Sequence, residues 1–271
     1  MFTPFVKAKR TFDYHFYRIK NNWTFPSNMA HATGARIAKG SHESGTSSVV
    51  NKHLDEGAIF LDVGANVGYY SRLASHLVKR SGRVFAFEVE HDNYYALTQN
   101  TASFDNVIPL NLAVSNENSF LKVNHSSHSA CHSIVDNDNH LDGDQFITPT
   151  ITLDIFWSLY LDKSKIDLIK IDVEGAEPNV LEGMQTVLSE DKIETMIIEY
   201  CPQLLVNTGR DPLMFYKMLA RYFSISVIEK KYRKHQTGSR IETIDEFERI
   251  TNYLLNMEGA VNSNLLCRIP Y

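Results

Sequence analysis

The stretch Ile59-Phe60-Leu61-Asp62-Val63-Gly64-Ala65-Asn66-Val67-Gly68 constrains this chain more than any other. Its apolar run reads as a buried strand over 59–63, and Gly64 to Gly68 as the turn out of that strand. A helix follows at once, because Tyr70, Leu73, Ala74 and Leu77 recur at the spacing of one helical face. Lys79 and Arg80 suit its last turn, and Gly82 its end. Strand, glycine turn and helix N-terminus in that order let the backbone approach a ligand closely and aim N–H groups at it. The stretch therefore predicts a cradle for a nucleotide cofactor.

From this strand onward, strands and helices alternate. Strands are predicted at 83–88, 107–112, 166–172, 193–200, 223–228 and 265–269, with an added hairpin strand at 119–124. Helices are predicted at 91–103 and 153–160, over Val180 to Leu188 with Pro178 in the first turn, from Asp211-Pro212 to about 222, and over Ile244 to Leu254. Such alternation implies a mostly parallel sheet covered on both faces, with ligands beyond the carboxyl ends of its strands. Residues 125–149 lose all periodicity and read as one long loop, of the kind that closes over a site as a lid.

Residues 1–57 read as a partly helical N-terminal extension to a domain over 58–271. In it Phe12, Phe16 and Ile19 share a helical face, expected to pack on the domain or on a partner subunit in a homo-oligomer. The Gly-, Ser- and Thr-rich stretch 33–48 reads as loop, and 47–56 as one helix ended by Gly57. A net charge of -5 argues against a broad nucleic-acid-binding face. Cys131, Cys201 and Cys267 are too far apart for a disulfide framework or a Cys-x-x-Cys metal pair, which suits a reducing compartment. No apolar leader and no apolar run of spanning length occurs, so a soluble cytoplasmic protein is expected.

The glycine turn narrows the choice of cofactor. A dinucleotide fingerprint needs G-x-G-x-x-G, and Asn66 stands where its second glycine belongs. A phosphate-gripping loop needs Lys and then Ser or Thr after its last glycine, and Tyr69-Tyr70 follow Gly68. A ligand less anionic than a pyrophosphate remains. Glu88 ends the second strand 24 residues after Gly64, close to the roughly 20-residue offset at which an acid meets a ribose.

Taken together these segments resemble the FkbM family of S-adenosylmethionine-dependent methyltransferases. The resemblance is carried by Phe60 to Ser71 (F-L-D-V-G-A-N-V-G-Y-Y-S), Phe87-Glu88, Asn111 to Ser115 (N-L-A-V-S), Asp167 to Glu177 (D-L-I-K-I-D-V-E-G-A-E) and Val180 to Gly183. It covers about residues 40–200. It implies a Rossmann-like methyltransferase fold with a mostly parallel seven-stranded sheet, S-adenosylmethionine as cofactor, and O-methylation as the usual reaction. By the same resemblance, Asp62, Gly64, Asn66, Gly68, Glu88 and Asn111 are the expected cofactor-binding residues. Val89-Glu90 replace the proline that commonly follows the ribose acid, which changes the loop beyond it.

Methyl transfer places a nucleophile on the axis of a sulfonium methyl, removes its proton and excludes water. A sugar hydroxyl is a poor nucleophile, so a base or a divalent metal ion helps. Asp172 and Glu174 stand at a strand's carboxyl end, and Glu199 ends the next strand. Lys170, inside an otherwise apolar strand, must find a partner. If strand geometry continues, Lys170, Asp172 and Glu174 share a face. Either acid then serves as general base or metal ligand, with Lys170 orienting it. The bland alternative is a structural ion pair, with Glu174 and Glu177 favouring a helix N-terminus. The histidine-rich run His125, His128, His132 and His140 lacks a metal-finger spacing, and no metal ligand set is assigned. The basic run 229–235 reads as a solvated turn, although it could meet an anionic acceptor. The acceptor is expected to be a hydroxyl of a carbohydrate, glycolipid or secondary metabolite. The rivals are a nicotinamide-dependent oxidoreductase, which Asn66 opposes, and a non-catalytic cofactor-binding subunit.

Overall fold

The computed structural model describes residues 4–124, 145–228, 240–257 and 261–270. Three helices come first: α1 (Pro4–Lys20), α2 (His31–Lys39) and α3 (Ser44–His53). The alternating part begins with β1 (Ile59–Val63), α4 (Tyr69–Val78), β2 (Arg83–Phe87), α5 (His91–Thr101) and β3 (Val107–Leu110). A small excursion follows, made of β4 (Ala113–Val114), β5 (Phe120–Asn124) and β6 (Gln145–Ile151). Then come α6 (Leu153–Tyr160), β7 (Ile166–Ile171), α7 (Glu177–Glu182), α8 (Gln185–Ser189) and β8 (Ile193–Tyr200). The chain ends with α9 (Pro202–Asn207), α10 (Pro212–Ala220), β9 (Ser224–Ile228), β10 (Arg240–Ile241), α11 (Ile244–Leu255) and β11 (Ser263–Arg268).

The central sheet runs β10-β9-β11-β8-β7-β1-β2-β3. Pairing is parallel from β8 through β3, and antiparallel where β11 meets β8 and β9 and where β10 meets β9. The expected seven strands become eight because the two-residue β10 joins the edge. The parallel strands β1, β2, β7 and β8 are buried on both faces, which explains their near-continuous apolar sequences. Phe60, Leu61, Leu168 and Ile169 are wholly buried, each stabilising the fold by roughly 1.5–3 kcal/mol. Pro109 sits in β3, at the edge of the sheet, where a missing N–H costs no ladder bond. Among the described residues, no helix is long and apolar enough to cross a membrane.

Several expectations are corrected. Residues 33–48 are not loop, since they hold most of α2 and the start of α3. Gly34 is a packing residue, because a Cβ there would lie 2.5 Å from the Tyr14 ring. The helix expected over 47–56 lies earlier, at Ser44–His53. In α1 the stripe Phe12, Phe16 and Ile19 faces outward, 67%, 46% and 81% exposed, and Tyr14 is buried instead. The N-terminal helices join β1 and α4 in one apolar cluster that holds Tyr14, Trp23, Phe25, Phe60 and Val78. Residues 145–149 belong to β6, which pairs with β5 to complete the hairpin. The rest of the presumed lid, with its histidines, and the basic run 229–235 lie outside the described residues. The single helix expected over 180–188 is two, α7 and α8. They part at Gly183, where a Cβ would meet the Ser115 carbonyl oxygen at 2.0 Å.

Candidate active site

The carboxyl ends of β1, β2, β7 and β8 open into a cavity of about 530 Å³. At one end, the chain leaving β1 folds tightly against its neighbours. The N–H groups of Gly64 and Ala65 both donate to the Phe87 carbonyl, at 3.0 and 2.8 Å, and Asp172 N donates to the Val63 carbonyl at 3.0 Å. Gly64 lies at φ +80, and a Cβ on it would come within 1.9 Å of the Asp172 carbonyl oxygen. Only glycine fits there. Asn66 also has a positive φ, 50°, which asparagine tolerates better than most residues. Its N–H donates to Glu88 Oε2 at 2.7 Å, while Glu88 Oε1 accepts from Glu90 N at 2.9 Å. Burial pushes the Glu88 carboxyl up to about 7, although these N–H groups favour its charged form. Glu88, Gly64 and Asn66 all line the cavity.

The other residues named for the cofactor stand behind this wall. Asp62 is fully buried; its Oδ2 accepts from Ser71 Oγ at 2.6 Å, tying β1 to α4. Its Oδ1 has no partner among the described residues, and burial raises its pKa against the pull of Lys170. Gly68 caps α4 at φ +85 and packs on α5, where a Cβ would meet Leu97 at 2.7 Å. The Asn111 amide donates to the carbonyls of Glu88 and Val89, at 2.8 and 3.1 Å, and so fixes the loop beyond β2.

Charged side chains make the other end of the cavity. Lys170 Nζ lies 2.7 Å from Asp172 Oδ2 and 5.0 Å from the centre of the Tyr70 ring. Burial alone would lower the lysine's pKa, but Asp172, Asp62 and Glu43 outweigh it and hold the ammonium above its usual range. Burial likewise opposes ionisation of Asp172, and Lys170 overrides it and keeps that carboxyl below its usual value. Glu174, at φ 52, has its carboxyl raised to about 8, by burial first and then by Asp172 and Glu177. Glu177 accepts from the N–H groups of Val173 and Gly175 and so shapes the turn after β7. Glu199 is 3% exposed; its Oε1 accepts from the Asn262 amide, and its Oε2 has no partner among the described residues. Burial, then Asp172 and Glu174, raise the Glu199 carboxyl well above its usual range. One oxygen each from Asp172, Glu174 and Glu199 lies within 4.8 Å of the other two.

Residues outside the quoted motifs complete the walls. The turn between α2 and α3, opened by Gly40 at φ 72, brings in His42 and Glu43, with Arg36 nearby. Glu43 Oε2 accepts from Tyr70 Oη at 2.9 Å and from the Asn264 amide at 3.2 Å. His42 packs edge-on against Tyr69, its Nδ1 is buried with no partner among the described residues, and burial lowers its pKa. Leu121 and Val123 of β5 supply apolar wall. Glu199 was signalled by its strand-end position. Nothing in the spacing of His42, Glu43 or Asn262 marks them out.

Over residues 62–257 the chain matches the Methyltransferase FkbM domain, so the similarity starts inside β1, later than residue 40, and extends well past residue 200. A hexuronic acid methyltransferase, AglP of Haloferax volcanii, is 27% identical over 173 residues, which are 62% of this chain. The chain spans 64% of that relative's length. Among solved structures, Aeropyrum pernix fibrillarin with natively bound S-adenosyl-L-methionine aligns with a TM-score of 0.45 at 12% identity, covering 83% of this chain and 73% of that one. A SAM-dependent methyltransferase from Aquifex aeolicus aligns with a TM-score of 0.40 at 15% identity, covering 87% and 98%. By the extent of the domain match, the chain belongs to the FkbM methyltransferase family.

Proposed function

We propose that this chain transfers a methyl group from S-adenosylmethionine to a hydroxyl oxygen of a carbohydrate acceptor. The observation that carries the reading is one cavity with a glycine cradle and a ribose-type acid at one end, and a carboxylate cluster at the other. The cofactor fits the first end. Gly64, where any side chain would collide with Asp172, keeps the turn tight against the cavity wall, and Glu88 offers a carboxylate to paired hydroxyls. Asn66, Asp62, Gly68 and Asn111 support that end by fixing the turn, α4 and the loop after β2. When bound, S-adenosylmethionine supplies an electrophilic methyl group.

At the second end Asp172 or Glu174 accepts the hydrogen bond of the acceptor hydroxyl, holds its oxygen on the reaction axis and takes up its proton. Lys170 holds Asp172 through their 2.7 Å contact and is a positioning residue. Residues 1–57 act as an extension that roofs the cavity of a catalytic domain over 58–271, with His42 and Glu43 facing the acceptor. The hexuronic acid named for the Haloferax relative supports a sugar acceptor, and Arg36 at the rim suits an anionic one. The free, buried thiols of Cys201 and Cys267 support a reducing, cytoplasmic setting. The outward stripe Phe12, Phe16 and Ile19 supports self-association through α1.

Calorimetry tests the reading directly. Saturable binding of S-adenosylhomocysteine with none of NADH is expected, followed by methyl transfer to uronic-acid-containing oligosaccharides. Binding of NADH in place of S-adenosylhomocysteine would overturn it.

A further inference from the structure

We infer that Asp172, Glu174 and Glu199 form a binding site for one divalent cation of the hard, oxygen-preferring class, such as Mg²⁺ or Mn²⁺. The proximity of three carboxylates is the first observation: one oxygen of each lies within 4.8 Å of the other two. Acidic clusters are common without ions, and a second observation separates this one. Glu199 is almost wholly buried, and the Asn262 amide holds its Oε1. That bond leaves Oε2 buried, with no hydrogen-bond donor among the described residues, while the Asp172 carboxylate lies within hydrogen-bonding reach of Glu199. Two carboxylates in contact do not both stay ionised unless a cation lies between them; without one they share a proton.

The local cation is already engaged. Lys170 donates to Asp172 Oδ2 and also faces the charges of Asp62 and Glu43. It also pulls on Glu174 and Glu199, but less strongly than burial and the neighbouring carboxylates push them up. The donor set decides the class of ion, because three carboxylates with no thiolate or imidazole among them suit Mg²⁺, Mn²⁺ or Ca²⁺ over softer metals. The ligands come from the β7–α7 turn and the end of β8, adjacent parallel strands, so the sheet fixes their spacing. All three line the cavity that an acceptor enters. An ion there would take the acceptor hydroxyl by its oxygen and favour release of its proton to a carboxylate oxygen that the ion does not use. This role rests on the methyltransferase reading, whereas the binding of the ion does not.

The test uses the full chain stripped with EDTA and titrated with MnCl2 alone, free Mn²⁺ being followed by electron paramagnetic resonance. One saturable site with a Kd below about 1 mM is expected. Glu199→Gln and the less buried Glu174→Gln, each with folding checked by circular dichroism, should weaken it by about tenfold or more. Glu190→Gln, on the surface, should leave it unchanged. S-adenosylhomocysteine binding is measured on the same stripped sample. No saturable Mn²⁺ binding by a chain that binds S-adenosylhomocysteine overturns the ion site and leaves the proposed function standing. Mn²⁺ binding without S-adenosylhomocysteine binding supports the ion site and overturns that function. Undiminished Mn²⁺ affinity in folded Glu199→Gln and Glu174→Gln also overturns the site, and assigns a shared proton to the carboxylates.

Discussion

Backbone atoms form much of one end of the cavity, and side-chain charges form the other. At the β1–β2 end, Gly64, Ala65 and Asn66 are held by N–H bonds to Phe87 and Glu88, and Glu88 is the one ionisable group among them. At the β7–β8 end, Lys170, Asp172, Glu174 and Glu199 crowd together and shift one another's proton affinities. The first construction suits a ligand recognised by shape and by two hydroxyls. The second suits a place where charge changes during a reaction. On the proposed function the difference separates binding from turnover, and substitutions can test that separation.

The largest effect is expected where the two ends touch. Gly64→Ala drives a Cβ into the Asp172 carbonyl at a positive φ, and should cost on the order of 3 kcal/mol or more in a urea melt. Retention of wild-type stability would show that the ends are not rigidly joined. Asp172→Asn should leave S-adenosylhomocysteine affinity intact and lower kcat by about 100-fold or more. An unchanged kcat would remove Asp172 from the chemistry. Glu88→Ala is expected to do the converse, weakening S-adenosylhomocysteine by about 10–100-fold in calorimetry with the acceptor KM unchanged.

A pH series sharpens the contrast. Glu88 is raised from 4.5 to about 7, so the folded chain binds more protons than the unfolded one between those values. Its contribution to stability is therefore present at low pH and lost as pH rises across that window. On the proposed ribose contact, hydroxyls donate to the ionised form, so cofactor affinity should rise as pH crosses about 7, by up to about tenfold between roughly pH 6 and 8. Glu88→Gln should flatten that profile. The smallest effect is expected at His42, where His42→Ala should raise the acceptor KM about 2–10-fold and spare cofactor binding.

The contrast also explains what could be read from sequence. The backbone-built end is local: Gly64, Asn66 and Gly68 lie within one turn, and Glu88 ends the next strand at a recurrent offset. Lys170 in an apolar strand predicted an ion pair, and Asp172 supplies it. The charged end draws on distant parts of the chain, His42 and Glu43 from the N-terminal helices and Asn262 from just before β11, and no periodicity links them. Composition misled at two places. Gly34 looks like a loop residue, yet it lets α2 approach Tyr14, a tertiary contact that overrides helix propensity. Residues 145–149 read as the end of a loop without periodicity, yet they open β6, which pairs with β5.

The insertion of β11 between β8 and β9 sets an order of events during synthesis. Both of those strands are made before β11, so the β8 edge waits for the time taken to make residues 201–262 and the β9 edge for residues 229–262. Unpaired edges invite pairing with other chains. Asn262, the residue that orients Glu199, arrives with the same strand. A nascent chain therefore carries the Gly64 turn and Glu88 well before its charged end is assembled, and gains a whole cavity only when β11 slides between β8 and β9.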